Sequence, residues 1–221
     1  MAVSVDNVYQ KVLAFANKEQ RGYITPQEFN LFADHAQMEI FEQYFYDLEQ
    51  IKRRVEVDNA QQHASAQTNL EDKIDLFIRS HQSVTFNVYG QVTLSSISDF
   101  YKLSGVRVTY MGVPNTIGAN KYSHTTAPAE RISYEDSDMR NISPLFKQKH
   151  SRPTYKQQSN VIQVQPYPNV STDDIQIHYI RKPLKPSWGY VVVSDKPLYN
   201  SAASINFELH PSEESELVYR I

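Results

Sequence analysis

The hydrophobic period of this chain changes after Ser80, and that change limits the folds open to it. Upstream, apolar residues return every three or four positions, as on one side of a helix. Downstream they alternate with polar residues in β-branched and aromatic text, as on a strand.

The helical half begins with Val5, Val8, Val12 and Phe15, spaced for a helix from Val5 to Gln20 that Ser4 or Asp6 can cap and Arg21-Gly22 stops. "ITPQEF" follows, with Thr25 at the cap, Pro26 at the first helical position and Glu28 at the third, the pattern of a capping box. Phe29, Phe32, Ala33, Ala36, Ile40, Tyr44, Leu48, Ile51 and Val55 then form one stripe. A helix of about 30 residues here would reach about 45 Å. Phe41 and Phe45 widen the stripe past what one neighbour covers, so burial on two sides is expected and Tyr44 and Phe45 are interface candidates. The polar stretch from Asp58 to Thr68 reads as a loop or frayed end, and Leu70, Ile74, Phe77 and Ile78 as a short amphipathic helix.

Beyond Ser80, "SVTFNVYGQVTL" alternates, and Ser96–Gly112 reads as a helical turn feeding another strand. Residues from Pro114 to Asn160 show little periodicity beyond a brief helix at Tyr134–Asn141. A loop of that length inside a domain is usually functional or ordered by a partner. "NVIQVQP" and "DIQIHYI" are alternating strands joined through a turn at "YPNVSTD", and "WGYVVV" with "PLYN" predicts a hairpin around Ser194-Asp195-Lys196. The expected fold is α+β: an amino-terminal helical bundle with a long helix, a small antiparallel sheet and a carboxy-terminal helix. Residues 1–80 would form the bundle and 81–221 the β-rich part with its long loop and terminal helix, in one integrated domain.

Composition narrows the chemistry. The chain has 221 residues, a net charge of −3 and no cysteine, which removes disulfides and thiolate metal sites. No basic leader with an apolar run opens it and no stretch approaches the about 20 apolar residues of a membrane span, so a soluble cytosolic protein is expected. Only six glycines are present, and no phosphate loop, dinucleotide fingerprint, HExxH or GxSxG occurs. The seven histidines are scattered without metal-ligand spacing, and Asp173-Asp174 and Asp136/Asp138 lie in turn-like text. No catalytic residue, metal ligand or cofactor site is therefore assigned. Fifteen tyrosines suit half-wet interfaces or a tyrosine-rich core.

Two stretches carry charge that could act. In "YIRKPLKPSWGYVVV", Arg181, Lys182 and Lys185 stand beside the only tryptophan, Trp188, a mixture that can hold single-stranded nucleic acid by phosphate attraction and stacking. The same text, broken by Pro183 and Pro186, also reads as an edge arm anchored by Trp188 and contacting protein. In "FELHPSEESELVYRI", His210, Glu213 and Glu214 suggest a metal site. Pro211 at a first helical position, with Glu213, Glu214 and Glu216 in the first turns, describes a helix start better.

The order of "SISDFYKLSGVRV", "SPLFKQKHSRPTYKQQSNVIQVQPYP", "YIRKPLKPSWGYVVV" and "FELHPSEESELVYRI" resembles virion structural proteins of tailed bacteriophages, podovirus-like and crAss-like, over Leu94 to Ile221. That resemblance implies a head–tail connector or neck ring protein, with a tail-tube role as the neighbouring alternative. It implies no catalysis and no cofactor. It also implies partners in copies of itself, the portal and tail or other neck proteins, with DNA passing through the lumen unbound, no membrane, and a place in the virion after assembly in the host cytoplasm. A net negative charge per copy would then let DNA pass without sticking.

Overall fold

The computed structural model describes residues 2–18, 23–54, 60–114, 122–194 and 196–221. They fall into two compact units, one of residues Met1–Phe77 with Pro183–Ile221 and one of Ile78–Lys182.

The first unit is built on helices α1 (Val5–Lys18), α2 (Pro26–Arg54) and α3 (Ala60–Asp75). At the start of α2 the capping box is formed: the Glu28 N–H donates to Thr25 Oγ1 (3.3 Å), and the Thr25 N–H donates to Glu28 Oε2 (3.0 Å). This contact holds the Glu28 carboxyl below its usual range. Val5, Val8, Tyr9, Phe29, Ile40, Phe41 and Phe77 are buried together with the returning carboxy-terminal residues Trp188, Phe207, Leu209 and Leu217. The returning chain is sewn down by polar contacts. Gln37, fully buried on α2, donates to the Leu184 carbonyl (2.8 Å) and accepts from the Glu208 N–H (3.0 Å). Val3 and Phe207 exchange two backbone bonds of 3.1 Å. The unit closes with a hairpin of β8 (Tyr190–Val193) and β9 (Lys196–Tyr199) and a seven-residue helix, α5 (Glu214–Arg220).

The second unit is a sheet of seven strands: β1 (Ile78–Val84), β2 (Gln91–Thr93), β3 (Phe100–Pro114), β4 (Tyr122–Arg131), β5 (Thr154–Gln158), β6 (Val161–Gln165) and β7 (Asp174–Arg181). Their order is β1-β7-β3-β4-β5-β6-β2, antiparallel except for β4 with β5. Consecutive strands β1 and β2 thus lie at opposite edges. The Asn87 N–H donates to the Gln91 carbonyl (3.1 Å), so only the step from Val84 to Asn87, about 10 Å of chain, separates the edges. A flat sheet would hold them about 29 Å apart. The sheet must therefore curl on itself. Val106, Val108, Ile162, Val164, Ile175 and Ile177 fill its inside with Tyr110, Tyr155 and Tyr179. Gly90 makes the turn before β2 at φ +64°, and a Cβ there would stand 2.8 Å from the Val164 carbonyl oxygen. Gly90→Ala is expected to cost about 1–3 kcal/mol in a urea titration, through strain at that φ and the clash with β6.

These observations correct the expected architecture. Among the described residues, five helices, a curled seven-stranded sheet and a separate two-stranded sheet replace a bundle followed by a small antiparallel sheet and a terminal helix. Most of the stretch expected as a loop between Pro114 and Asn160 is structured, holding β4, α4 (Tyr134–Ile142) and β5. The strands on either side of "YPNVSTD" form no hairpin, because β6 and β7 are separated by β5, β4 and β3. Residues 60–68 are helical and start α3, whereas Ile78 opens β1. Alanines at 60, 64 and 66 favour a helix even where the text is polar. Phe15 and Phe32, expected in the buried stripe, are exposed, and Val55 lies outside the described residues.

Candidate interaction surfaces

The acidic carboxy-terminal segment is a helix start. His210 Nδ1 accepts from the Ser212 N–H (3.2 Å), capping a 3-10 turn at Pro211–Glu213 that runs into α5. Each glutamate then takes a different cation: Glu213 pairs with Lys73 on α3, Glu214 with Lys11 on α1 (2.8 Å), and Glu216 with Arg220 one turn on (2.9 Å to Nε). Arg220 reaches further, to Glu39 on α2 (3.1 Å). The segment is a clamp joining α5 to three other helices. Among the described residues no group of three or more His, Asp or Glu could hold a metal.

The four members of the basic arm are divided between the two units. Arg181 ends β7 and Lys182 follows it in the sheet unit, whereas Lys185 and Trp188 belong to the helical unit. The Lys185 ammonium lies 3.5 Å from Asp34. Trp188 is only 3 % exposed. Its indole N–H donates to Asp6 (2.9 Å), and its backbone N–H donates to Asn30 Oδ1 (2.7 Å). Tyr44, an interface candidate, is buried under Lys73, whose ammonium lies 5.5 Å from the ring centre. Burial, with Glu213 and Glu216 nearby, pushes its phenol pKa up. Phe45 is half-buried, its ring edge-on to Phe41 at 5.1 Å.

The aspartate pairs serve local structure. Asp173 accepts from the Met111 N–H (2.8 Å) and the Asn169 N–H (2.7 Å), and Asp174 accepts from Gln176 (2.9 Å). At Asp136, the N–H donates to the Ser133 hydroxyl (3.0 Å), so this aspartate belongs to the start of α4. On the outer face of the sheet, His178 sits edge-on to His81 (4.7 Å), and Arg107 reaches His81 Nε2 (3.2 Å). Burial and these two neighbours lower the His178 pKa.

What the sequence did not single out is uncovered apolar surface. In the hairpin, Val191, Val192, Val193, Leu198 and Tyr199 are all exposed, Val192 by 60 %. Successive strand residues point to opposite faces, so both faces keep exposed apolar side chains, although Trp188 packs against Tyr190. Beside it Tyr9, Tyr23, Trp188, Tyr190, Leu198 and Tyr199 line a groove of about 710 Å³. In the sheet unit, Met139, Ile142, Leu145 and Phe146 are exposed on α4 and the turn after it. A valine-rich alternation and isolated Leu-Phe in polar text were the available signals, but alternation alone cannot tell a covered face from a bare one. No helix among the described residues is long and apolar enough to cross a membrane. No protein-family model matches this chain, and no curated protein does.

Proposed function

We propose that this chain is a non-catalytic structural protein that assembles into a ring with copies of itself, as a head–tail connector of a tailed-phage virion between portal and tail. The observation that carries this reading is the β8–β9 hairpin. A two-stranded hairpin is marginal in water unless a face is packed, and here Val191, Val193 and Leu198 are exposed on one face and Val192 on the other. Surface of that kind is completed by a protein neighbour.

Val192→Asp with Leu198→Asp is expected to leave the melting curve nearly unchanged, since both side chains are exposed. The same pair should lower incorporation into particles at least tenfold, read by blotting purified virions. Antibody labelling of virions in the electron microscope tests the location. Label at the portal–tail junction is the expected result, and label elsewhere or none overturns the reading.

A further inference from the structure

Charge is divided unevenly between the two units. Residues Met1–Phe77 and Pro183–Ile221 carry ten Lys and Arg against eighteen Asp and Glu, a net −8. Residues Ile78–Lys182 carry twelve against seven, a net +5, and the two make up the −3 of the chain. The positive excess is concentrated, because no acidic residue occurs from Met139 to Thr172. Of the five basic residues there, Arg140 is held by Glu130 (2.8 and 3.0 Å) and Lys156 is buried with its ammonium 5.0 Å from the Tyr134 ring centre. Lys147, Lys149 and Arg152 remain exposed, Arg152 close enough to Glu130 for its charge to help lower that carboxyl's pKa. They follow Ile142 and Leu145, themselves 80 % and 78 % exposed, and Phe146. Two tight turns fold this stretch: the Lys147 N–H donates to Ser143 (3.0 Å) and the Arg152 N–H to Lys149 (2.9 Å). It is a compact basic and apolar knob.

The helical unit carries a surface of the opposite kind. Along the outward stripe of α2, Leu31 (65 % exposed), Phe32 and Tyr46 are interspersed with Glu28, Glu39, Glu42 and Glu49. These positions recur every three or four residues and share one side of the helix. Between Glu28 and Glu49 the stripe sets one histidine, His35, against four glutamates, and it receives Arg220 at Glu39 and Gln43. Its charge is negative.

We propose that copies of this chain join head to tail, with the knob from Ile142 to Arg152 of one copy seated on the acidic outward stripe of α2 of the next. Each surface offers exposed leucine and phenylalanine for burial, surrounded by charge that attracts the other surface and repels its own kind. Knob against knob or stripe against stripe sets like charges together, which disfavours a two-fold pair. A contact between two different surfaces propagates and closes where the rotation allows, the geometry a ring requires. The inference rests on the self-assembling part of the proposed function, and its attraction weakens as salt screens it.

Sedimentation velocity of the full chain at low and high salt tests it with three variants. Lys147→Glu with Lys149→Glu reverses the knob, and Glu42→Lys with Glu49→Lys reverses the stripe. Each is expected to weaken association tenfold or more, and the knob variant to melt as the unaltered chain does. Lys147→Gln with Lys149→Gln, which only neutralises, should fall between. All four reversals in one chain should restore association, as should mixing the two reversed chains. A reversed chain that associates like the original, or a fourfold variant that does not recover, overturns the seam while leaving self-assembly standing. A knob variant that assembles normally yet loses binding to single-stranded DNA overturns it in favour of a nucleic-acid surface. An unaltered chain that stays monomeric at every salt concentration removes self-assembly and the seam together.

Discussion

Replacing Trp188 by alanine is expected to lower the free energy of unfolding by about 3–5 kcal/mol, one of the largest effects of any single substitution in this chain. The indole is buried against the Tyr9 ring at 4.3 Å and stacks on Tyr190 at 5.8 Å. Its N–H is the partner of Asp6 on α1, and its backbone N–H that of Asn30 on α2. Alanine would open a cavity among α1, α2 and the returning chain and leave Asp6 with one donor fewer. Trp188→Phe keeps most of the packing and loses the Asp6 bond, so a cost of about 1–2 kcal/mol is expected. Urea denaturation of the three proteins measures both. A Trp188→Ala protein of unchanged stability that no longer bound single-stranded nucleic acid would show the ring to be a stacking platform instead. Its 3 % exposure argues against that outcome.

The second large effect is expected at the clamp. Glu213 is buried, and its carboxylate accepts from the Lys73 ammonium and from the Ser212 hydroxyl (3.1 Å). Lys73→Met would strand that carboxylate with its charge uncompensated, at a cost of about 3 kcal/mol. Glu213→Gln leaves the less buried Lys73 unpaired instead, and about 2 kcal/mol is expected. Lys73→Met combined with Glu213→Leu should recover much of the loss, because a buried pair replaced by apolar groups avoids desolvation. Burial alone would raise the Glu213 pKa, but the bond and charge of Lys73 outweigh it and the net shift is downward. A carboxylate whose folded pKa lies below its unfolded 4.5 contributes fully above that pH. The contribution is withdrawn as the pH falls through the lower folded value. Stability measured from pH 7 downward should thus decline below about 4.5, and less steeply in Glu213→Gln. Glu28 and Glu130 shift in the same direction, so some slope remains in that variant.

The parts of the fold that could be read locally were those whose contacts are local. The α2 start is written in Thr25, Pro26 and Glu28, and the three residues meet within one turn of helix. The β8–β9 hairpin likewise pairs Tyr190 with Tyr199 across a short turn. β4 shows the opposite case. "YSHTTAPAER" has a proline and few large apolar residues, and it is a strand because β3 pairs with it, Pro128 facing Arg107. Likewise β5, besides its hairpin with β6, joins the rest of the sheet through a parallel neighbour, β4, more than twenty residues earlier. For the candidate surfaces, Arg181, Lys182, Lys185 and Trp188 are adjacent in the chain, and nearness in sequence suggested a common site. Burial of Trp188 and the partition of the four between two units were invisible there.

Sequence by itself determined the long capped helix, the change to strands near Ser80, the valine hairpin and the absence of thiol chemistry. Each follows from residue type or from contacts within a few residues. Only the tertiary structure decided that residues Pro183–Ile221 pack with the amino-terminal helices, that β1 and β2 end at opposite edges of a curled sheet, and that Glu213, Glu214 and Glu216 are spent on three different cations. Those outcomes depend on which distant surfaces bury one another. Hydrophobic burial is non-directional, and it acts between residues whose spacing along the chain says nothing of their distance in the fold.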